Sequence, residues 1–306
     1  MAFAQKYEMR VVTVNWKDYP GSSAYSVEEL ERFKGDFETQ CTAMEDEGRC
    51  IASFLRYFIE SQKIPPLQFV EGKRKGGVTV LAWSLGNIFL LPFLAYAHRF
   101  EENIKSLLTR YLRTIVVFDP PIKALGQPIP EEFYVPFRDP AIPPQNLAQA
   151  FADWTSAYYS AISTLEGIIP ANLSSEERKI DEMLTPTMSA MSPEARAECN
   201  VPSVLMGSAG LMLVHIPERV LWKQLEEALF DTKGVWPDVN VVHMWCDKSF
   251  SETIWGAKVV SDTISERQPN DTRVMRKVDV VKVENANHFV HWDDPERTLR
   301  LLAEYS

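Results

Sequence analysis

Glycine-rich phosphate loops are missing from this chain, although it has 13 glycines among its 306 residues. No G-x-G-x-x-G or P-loop pattern occurs, so the sequence carries no nucleotide-binding fingerprint. Cysteine is sparse too. Cys41, Cys50, Cys199 and Cys246 never adopt C-x-x-C spacing, which excludes a disulfide scaffold and points to ordinary reduced thiols of an intracellular chain. No His/Cys/carboxylate group has metal-site spacing, so no cofactor or metal is expected. Basic residues are outnumbered, 32 against 42 acidic, and the net charge of −10 repels nucleic acid and anionic membrane surfaces. The most apolar run, 88–97, is broken by Pro92 and falls short of the ~18–20 residues of a spanning helix. The N-terminus, MAFAQKYEMR, has charges where a signal peptide would have its apolar core. A cytoplasmic chain with no membrane span is expected.

What is present is globular: 45% hydrophobic and 24% charged residues leave no room for disorder or collagen-like repeats. Short β-branched runs alternate with helical patterns. The runs Arg10–Trp16, Gly77–Trp83, Arg113–Phe118, Asn240–Cys246 and Lys277–Val283 read as strands. Ser26 and Glu29 stand at capping-box spacing, and Asp18-Tyr19-Pro20-Gly21 reads as a turn. Such alternation implies an α/β fold with a mostly parallel sheet and helices on both faces. Residues 121–237 break the rhythm with many prolines and helical pieces at 147–165 and 220–230. They are expected to form a helical cap inserted into a core made of 1–120 and 238–306.

The sharpest chemical signal is Ala82-Trp83-Ser84-Leu85-Gly86, a small-x-Ser-x-Gly pattern between a strand and a helix. This is the context of a nucleophile elbow, where small flanking residues allow a tight turn that exposes the serine. A serine nucleophile needs a base and an orienting acid, in the chain order Ser, Asp or Glu, His. Asp247 follows one strand and His288 follows the last, so all three candidates lie at carboxyl ends of strands. Asp119 is the alternative acid, at another strand end, but Pro120-Pro121 after it suggests a loop-structuring role. The N–H of Leu85, the residue after the nucleophile, is the expected oxyanion donor. Asp293, Asp294 and Glu296 read as starters of the final helix. His98, His215 and His243 are assigned structural or lid roles.

The elbow, the strand-end Asp247 and the segment 287–296 resemble the α/β-hydrolase superfamily. Together with Lys17-Asp18-Tyr19-Pro20-Gly21-Ser22 they resemble in particular fungal members of the AB-hydrolase-1 type. The resemblance implies Ser84 as nucleophile, His288 as base, Asp247 as acid and a cap over the site. It also implies that Arg10–Trp16 is the fourth strand of eight and that strands 1–3 are absent. A His-Gly loop after the third strand supplies an oxyanion donor in that family, and no such pair precedes Arg10. Losing one such donor costs on the order of 10²–10³ in turnover, so a truncated, weakened enzyme is expected.

The function expected from all this is hydrolysis of an ester, thioester or similar acyl bond in a small apolar molecule. Phe151, Trp154, Tyr158 and Tyr159 are candidates to line the acyl pocket. An acyltransferase using the same triad and a non-catalytic binder of the same fold are the alternatives. Oligomeric state is not legible from the sequence.

Overall fold

The computed structural model describes residues 3–199, 201–268 and 270–305. Its centre is a parallel sheet of four strands in sequential order: β3 (Val78–Trp83), β4 (Leu112–Phe118), β5 (Asn240–Cys246) and β6 (Val278–Val283). Strands β4 and β5 are almost wholly buried and apolar, as a parallel sheet covered on both faces requires. The fold is therefore the expected mixed α/β arrangement. β3 and β6 are its edges, and Leu81 in β3 is 38% exposed.

Helices supply the layers. Ser26 caps α1 (Val27–Arg32) through the expected capping box, accepting from Glu29 N–H while Glu29 accepts from Ser26 N–H. Asp36 caps α2 (Phe37–Gln62) by accepting from Thr39 N–H. This long helix packs against α3 (Asn87–Ala95), whose residues are nearly all buried. Gly48 makes that approach possible, since a Cβ there would stand 2.7 Å from the Pro92 carbonyl carbon. After α4 (Glu102–Thr109) the chain enters β4. Among the described residues, those between β4 and β5 form helices and turns, with one isolated bridge between Tyr159 and Ile180. The helical piece expected at 147–165 ends early, as α5 (Leu147–Ser156).

One expectation is corrected. Arg10–Trp16 is not a strand. Its β-branched side chains suit a pleated surface, but a strand needs a backbone partner, and none lies beside it. It is fastened by side chains instead: Arg10 donates to Gln62, Trp16 stacks on Phe89 at 4.3 Å, and the Trp16 indole donates to the Tyr25 hydroxyl. The turn after it does form, with Asp18 and Gly21 at φ of 66° and 82°. The stretch Pro193–His215 is, by length and composition, long and apolar enough to cross a membrane. Pro202, Gly207 and Gly210 interrupt it in the sequence.

The hairpin β1 (Gln68–Val70) and β2 (Lys73–Lys75) was not expected from the sequence. Its turn residues Glu71 and Gly72 both have positive φ, the backbone that suits a two-residue hairpin.

Helix α6 (Glu218–Leu225) precedes β5, and α7 (Ser251–Ser265) follows it. Glu252, in the first turn of α7, is buried, and desolvation raises its carboxyl to about 7 from 4.5. A carboxyl raised by folding costs stability once the unfolded form ionises. The cost is absent below pH 4, grows from pH 4.5 to 7 and is full above 7. Glu252→Gln is therefore expected to stabilise the protein at pH 8 by up to about 3 kcal/mol and to do nothing at pH 4. Urea unfolding at both pH values checks it.

Candidate active site

The sheet register brings the strand ends together. Trp83 pairs with Phe118, Phe118 with Met244, and Cys246 with Val283. Ser84 and Asp119 therefore leave adjacent strands at the same level, while Asp247 lies further along β5. Both Ser84 and Asp119 have positive φ, 56° and 46°. That backbone is rare for residues with a Cβ and costs of order 1–3 kcal/mol each, so two side by side mark a strained pair of turns.

At Ser84 the strain has the form expected of an elbow. β3 ends at Trp83, a 3₁₀ turn covers Ser84–Gly86, and α3 starts at Asn87. Asn87 is fully buried, and its amide donates to the Ala82 and Ser84 carbonyls, which fixes the bend. A Cβ on Gly86 would sit 3.6 Å from the Ala82 Cβ, an ordinary contact, so the turn has room for one more methyl at this position. Leu85 is in the first turn after the strand, where N–H groups have no helical acceptor and remain available to an anion.

His288 is 1% exposed and its Nδ1 lies 2.6 Å from Oδ2 of Asp119. The partner of His288 is thus Asp119, and the expected pairing with Asp247 is corrected. Asp119 has no exposed surface, and its carboxylate also accepts from the Cys246 N–H at 2.9 Å and the Ser249 hydroxyl at 2.7 Å. An ionised acid with three donors is satisfied despite burial. As a pure acceptor it places the proton on Nδ1 and leaves Nε2 as the basic nitrogen. Asp247 instead accepts from the Ala286 N–H at 3.1 Å. It staples the loop that carries His288 as the loop crosses β5 on its way to Asp119.

Several further residues hold His288, and sequence reasoning missed most of them. The Trp83 indole donates to the His288 carbonyl at 2.8 Å, and the two rings lie 4.7 Å apart. Phe250 closes another side at 5.0 Å. Asn287 donates to the Ser156 carbonyl and the Thr187 hydroxyl, which links the loop to the helical region between β4 and β5. Asp293 joins the same network by accepting from Tyr158 and Thr187, while Asp294 caps the last helix, α8 (Pro295–Tyr305), by accepting from Arg297 N–H. Of the three expected helix-starters, Asp294 and Glu296 stand at the start of that helix, and Asp293 does not. Arg178 is buried and donates to the Asp247 and Ser249 carbonyls; burial lowers it to about 10, still cationic at neutral pH. In the sequence it stands in the charged run Glu176-Glu177-Arg178-Lys179, which reads as a solvated surface and gives no sign of burial.

Among the described residues no hydrogen bond joins Ser84 to His288. Apo hydrogen bonds between a nucleophile and its base are often long and tighten when substrate binds. Burial holds His243 and His291 down to about 4 and therefore neutral, and His98 meets the Ala95 carbonyl. Among the described residues, no three His, Cys, Asp or Glu side chains gather as ligands for a metal ion.

No family model and no curated protein matches this chain, so the expected AB-hydrolase-1 membership has no match behind it. Among solved structures, a marine microorganism esterase aligns with 85% of this chain and 77% of its own, at 14% identity and a TM-score of 0.29. The carboxylesterase CesB from Bacillus subtilis aligns with 75% of this chain and 59% of its own, at 12% identity and a TM-score of 0.28. Scores this low carry neither fold nor activity across, and the chemistry rests on the side chains described above.

Proposed function

We propose that this chain is a serine hydrolase that cleaves an ester, thioester or similar acyl bond. In this reading Ser84 is the nucleophile, His288 the base and Asp119 the orienting acid. The observation that carries it is the buried Asp119–His288 pair at 2.6 Å, set one strand away from a serine held at φ 56°. A strained serine alone would be a turn, and a buried ion pair alone would be structural. Their adjacency at the same sheet end favours chemistry.

Nε2 of His288 takes the proton of Ser84 as its oxygen attacks the acyl carbonyl. Asp119 stabilises the imidazolium that results. The Leu85 N–H donates to the oxyanion. The imidazolium then protonates the leaving group, and water repeats the sequence to release the acid. Phe151, Trp154 and Phe250 form a chain of ring contacts, at 5.7 and 4.5 Å, that ends on His288. Such a wall suits an apolar acyl group. Residues 121–237 act as a cap in this reading.

The test is covalent labelling with a fluorophosphonate probe. Wild type is expected to label, and Ser84→Ala to lose both the label and any esterase turnover, by roughly 10⁶ in kcat. Folded wild type that stays unlabelled would sink the proposal.

A further inference from the structure

Three strand ends each give one hydrogen bond to the segment that carries His288. After β5 comes Asp247, which accepts from the Ala286 N–H at 3.1 Å. After β4 comes Asp119, which meets Nδ1 of His288 at 2.6 Å. β3 ends in Trp83, whose indole N–H donates to the His288 carbonyl at 2.8 Å. The segment thus leaves β6 at one edge of the sheet and reaches as far as β3 at the other. These bonds are not equivalent. Asp119 and Asp247 tie the base to β4 and β5, and neither fixes where Ser84 stands. Ser84 leaves β3, whose only strand neighbour among the described residues is β4, in a pairing with a register shift between Val78 and Thr79. Of the three, only the bond from Trp83 joins the base to the strand that carries the serine.

We propose, resting on the serine hydrolase reading above, that Trp83 is a positioning residue that sets the separation of Ser84 and His288. Its backbone is clamped on both sides, because the Asn87 amide donates to the carbonyls of Ala82 and Ser84. Its ring is clamped as well. It lies 4.7 Å from the His288 ring, 4.9 Å from Phe289 and 4.4 Å from His291. A ring held on several sides presents its N–H in one direction, so the bond acts as a strut between elbow and base. Asp119 orients the imidazole, and Trp83 holds the backbone of the same residue level with the elbow. A strut of this kind governs how often Nε2 stands within reach of the serine oxygen and leaves substrate binding alone. Misplacement of reacting groups by about 1 Å can cost on the order of 10²-fold in rate.

Trp83→Phe tests this in the full chain, because it keeps a ring beside His288, Phe289 and His291 and removes the donor. The folded variant is expected to react with a fluorophosphonate roughly 10- to 10²-fold more slowly than wild type, with kcat for an ester lowered to match and KM unchanged. Proton NMR adds a readout that needs no turnover. The Nδ1 proton between His288 and Asp119 is expected as a downfield resonance in wild type, and as a shifted or broadened one in Trp83→Phe. Trp83→Met removes both ring and donor, replaces Trp83→Phe if that variant does not fold, and should react at least as slowly. The proposal is overturned if folded Trp83→Phe labels at the wild-type rate, since ring packing is then all that Trp83 supplies. It is also overturned if KM rises while kcat holds, or if labelling falls only in step with the folded fraction. Should wild type never label, the hydrolase reading fails and the resonance decides this one. Unmoved by the substitution, it overturns the part given to Trp83; moved, it leaves Trp83 as the residue that places His288.

Discussion

Asp119→Asn is expected to lower kcat for an ester substrate by on the order of 10⁴, with KM little changed. The size follows from what the carboxylate does. It accepts from His288, Ser249 and the Cys246 N–H with two oxygens and no exposure to water. An asparagine keeps the shape but offers one oxygen and an NH₂. If the NH₂ faces Nδ1, the imidazole flips to the tautomer that has its proton on Nε2, and the base is lost. If the oxygen faces Nδ1, the NH₂ opposes the Cys246 N–H, and the imidazolium still lacks its counter-charge. Either way the transition state suffers and substrate binding does not. Asp247→Asn removes one charge-assisted bond to the Ala286 N–H, a change worth on the order of 1.5–3 kcal/mol of loop stability. Its kinetic loss should be far smaller. Steady-state kinetics on both variants gives the ranking, and the reverse order would return the acid to Asp247.

The elbow was legible because everything that makes it is local. Strand, small residue, serine, glycine and helix follow one another within 78–95, and φ at Ser84 follows from that order. The capping box at Ser26 was legible for the same reason. The acid was not, because two strand-end aspartates satisfy the same order and only the sheet register separates them. Phe118 pairs with Met244, so Asp119 stands beside Trp245 and two residues short of Asp247. That offset lets a loop arriving from β6 be stapled by Asp247 and still deliver His288 to Asp119. Pro120-Pro121 also misled: a rigid exit from the strand was read as the purpose of Asp119, when it accompanies the unusual φ of 46°. Arg10–Trp16 failed in the opposite way. Composition describes a residue's fitness for a sheet, but pairing depends on what lies alongside, which no local pattern contains.

Gly126→Ala is expected to destabilise the protein by more than about 4 kcal/mol, a value reserved for substitutions with a named steric cause. The cause here is backbone. A Cβ at Gly126 would stand 1.9 Å from the Trp222 nitrogen and 2.4 Å from its Cα, atoms that move only if α6 moves. The site is sensitive because Gly126, at φ 74°, closes the turn Ile122–Leu125 that follows Asp119-Pro120-Pro121. Lys123 in the same turn is ion-paired at 2.7 Å with Glu218 at the start of α6, so the helix is clamped where the methyl would need room. Gly21→Ala separates the two contributions. Gly21 has a similar φ, 82°, but nothing lies within 4 Å of its added Cβ. Its loss should be the left-handed backbone penalty alone, about 1–2 kcal/mol. Urea unfolding of both variants measures the difference, and equal losses would refute the clash. A typical domain has only about 5–15 kcal/mol in all, so Gly126→Ala leaves much less margin beneath the strained turn that holds Asp119. Fluorophosphonate labelling of the variant should therefore fall away at lower urea than in wild type, in step with unfolding.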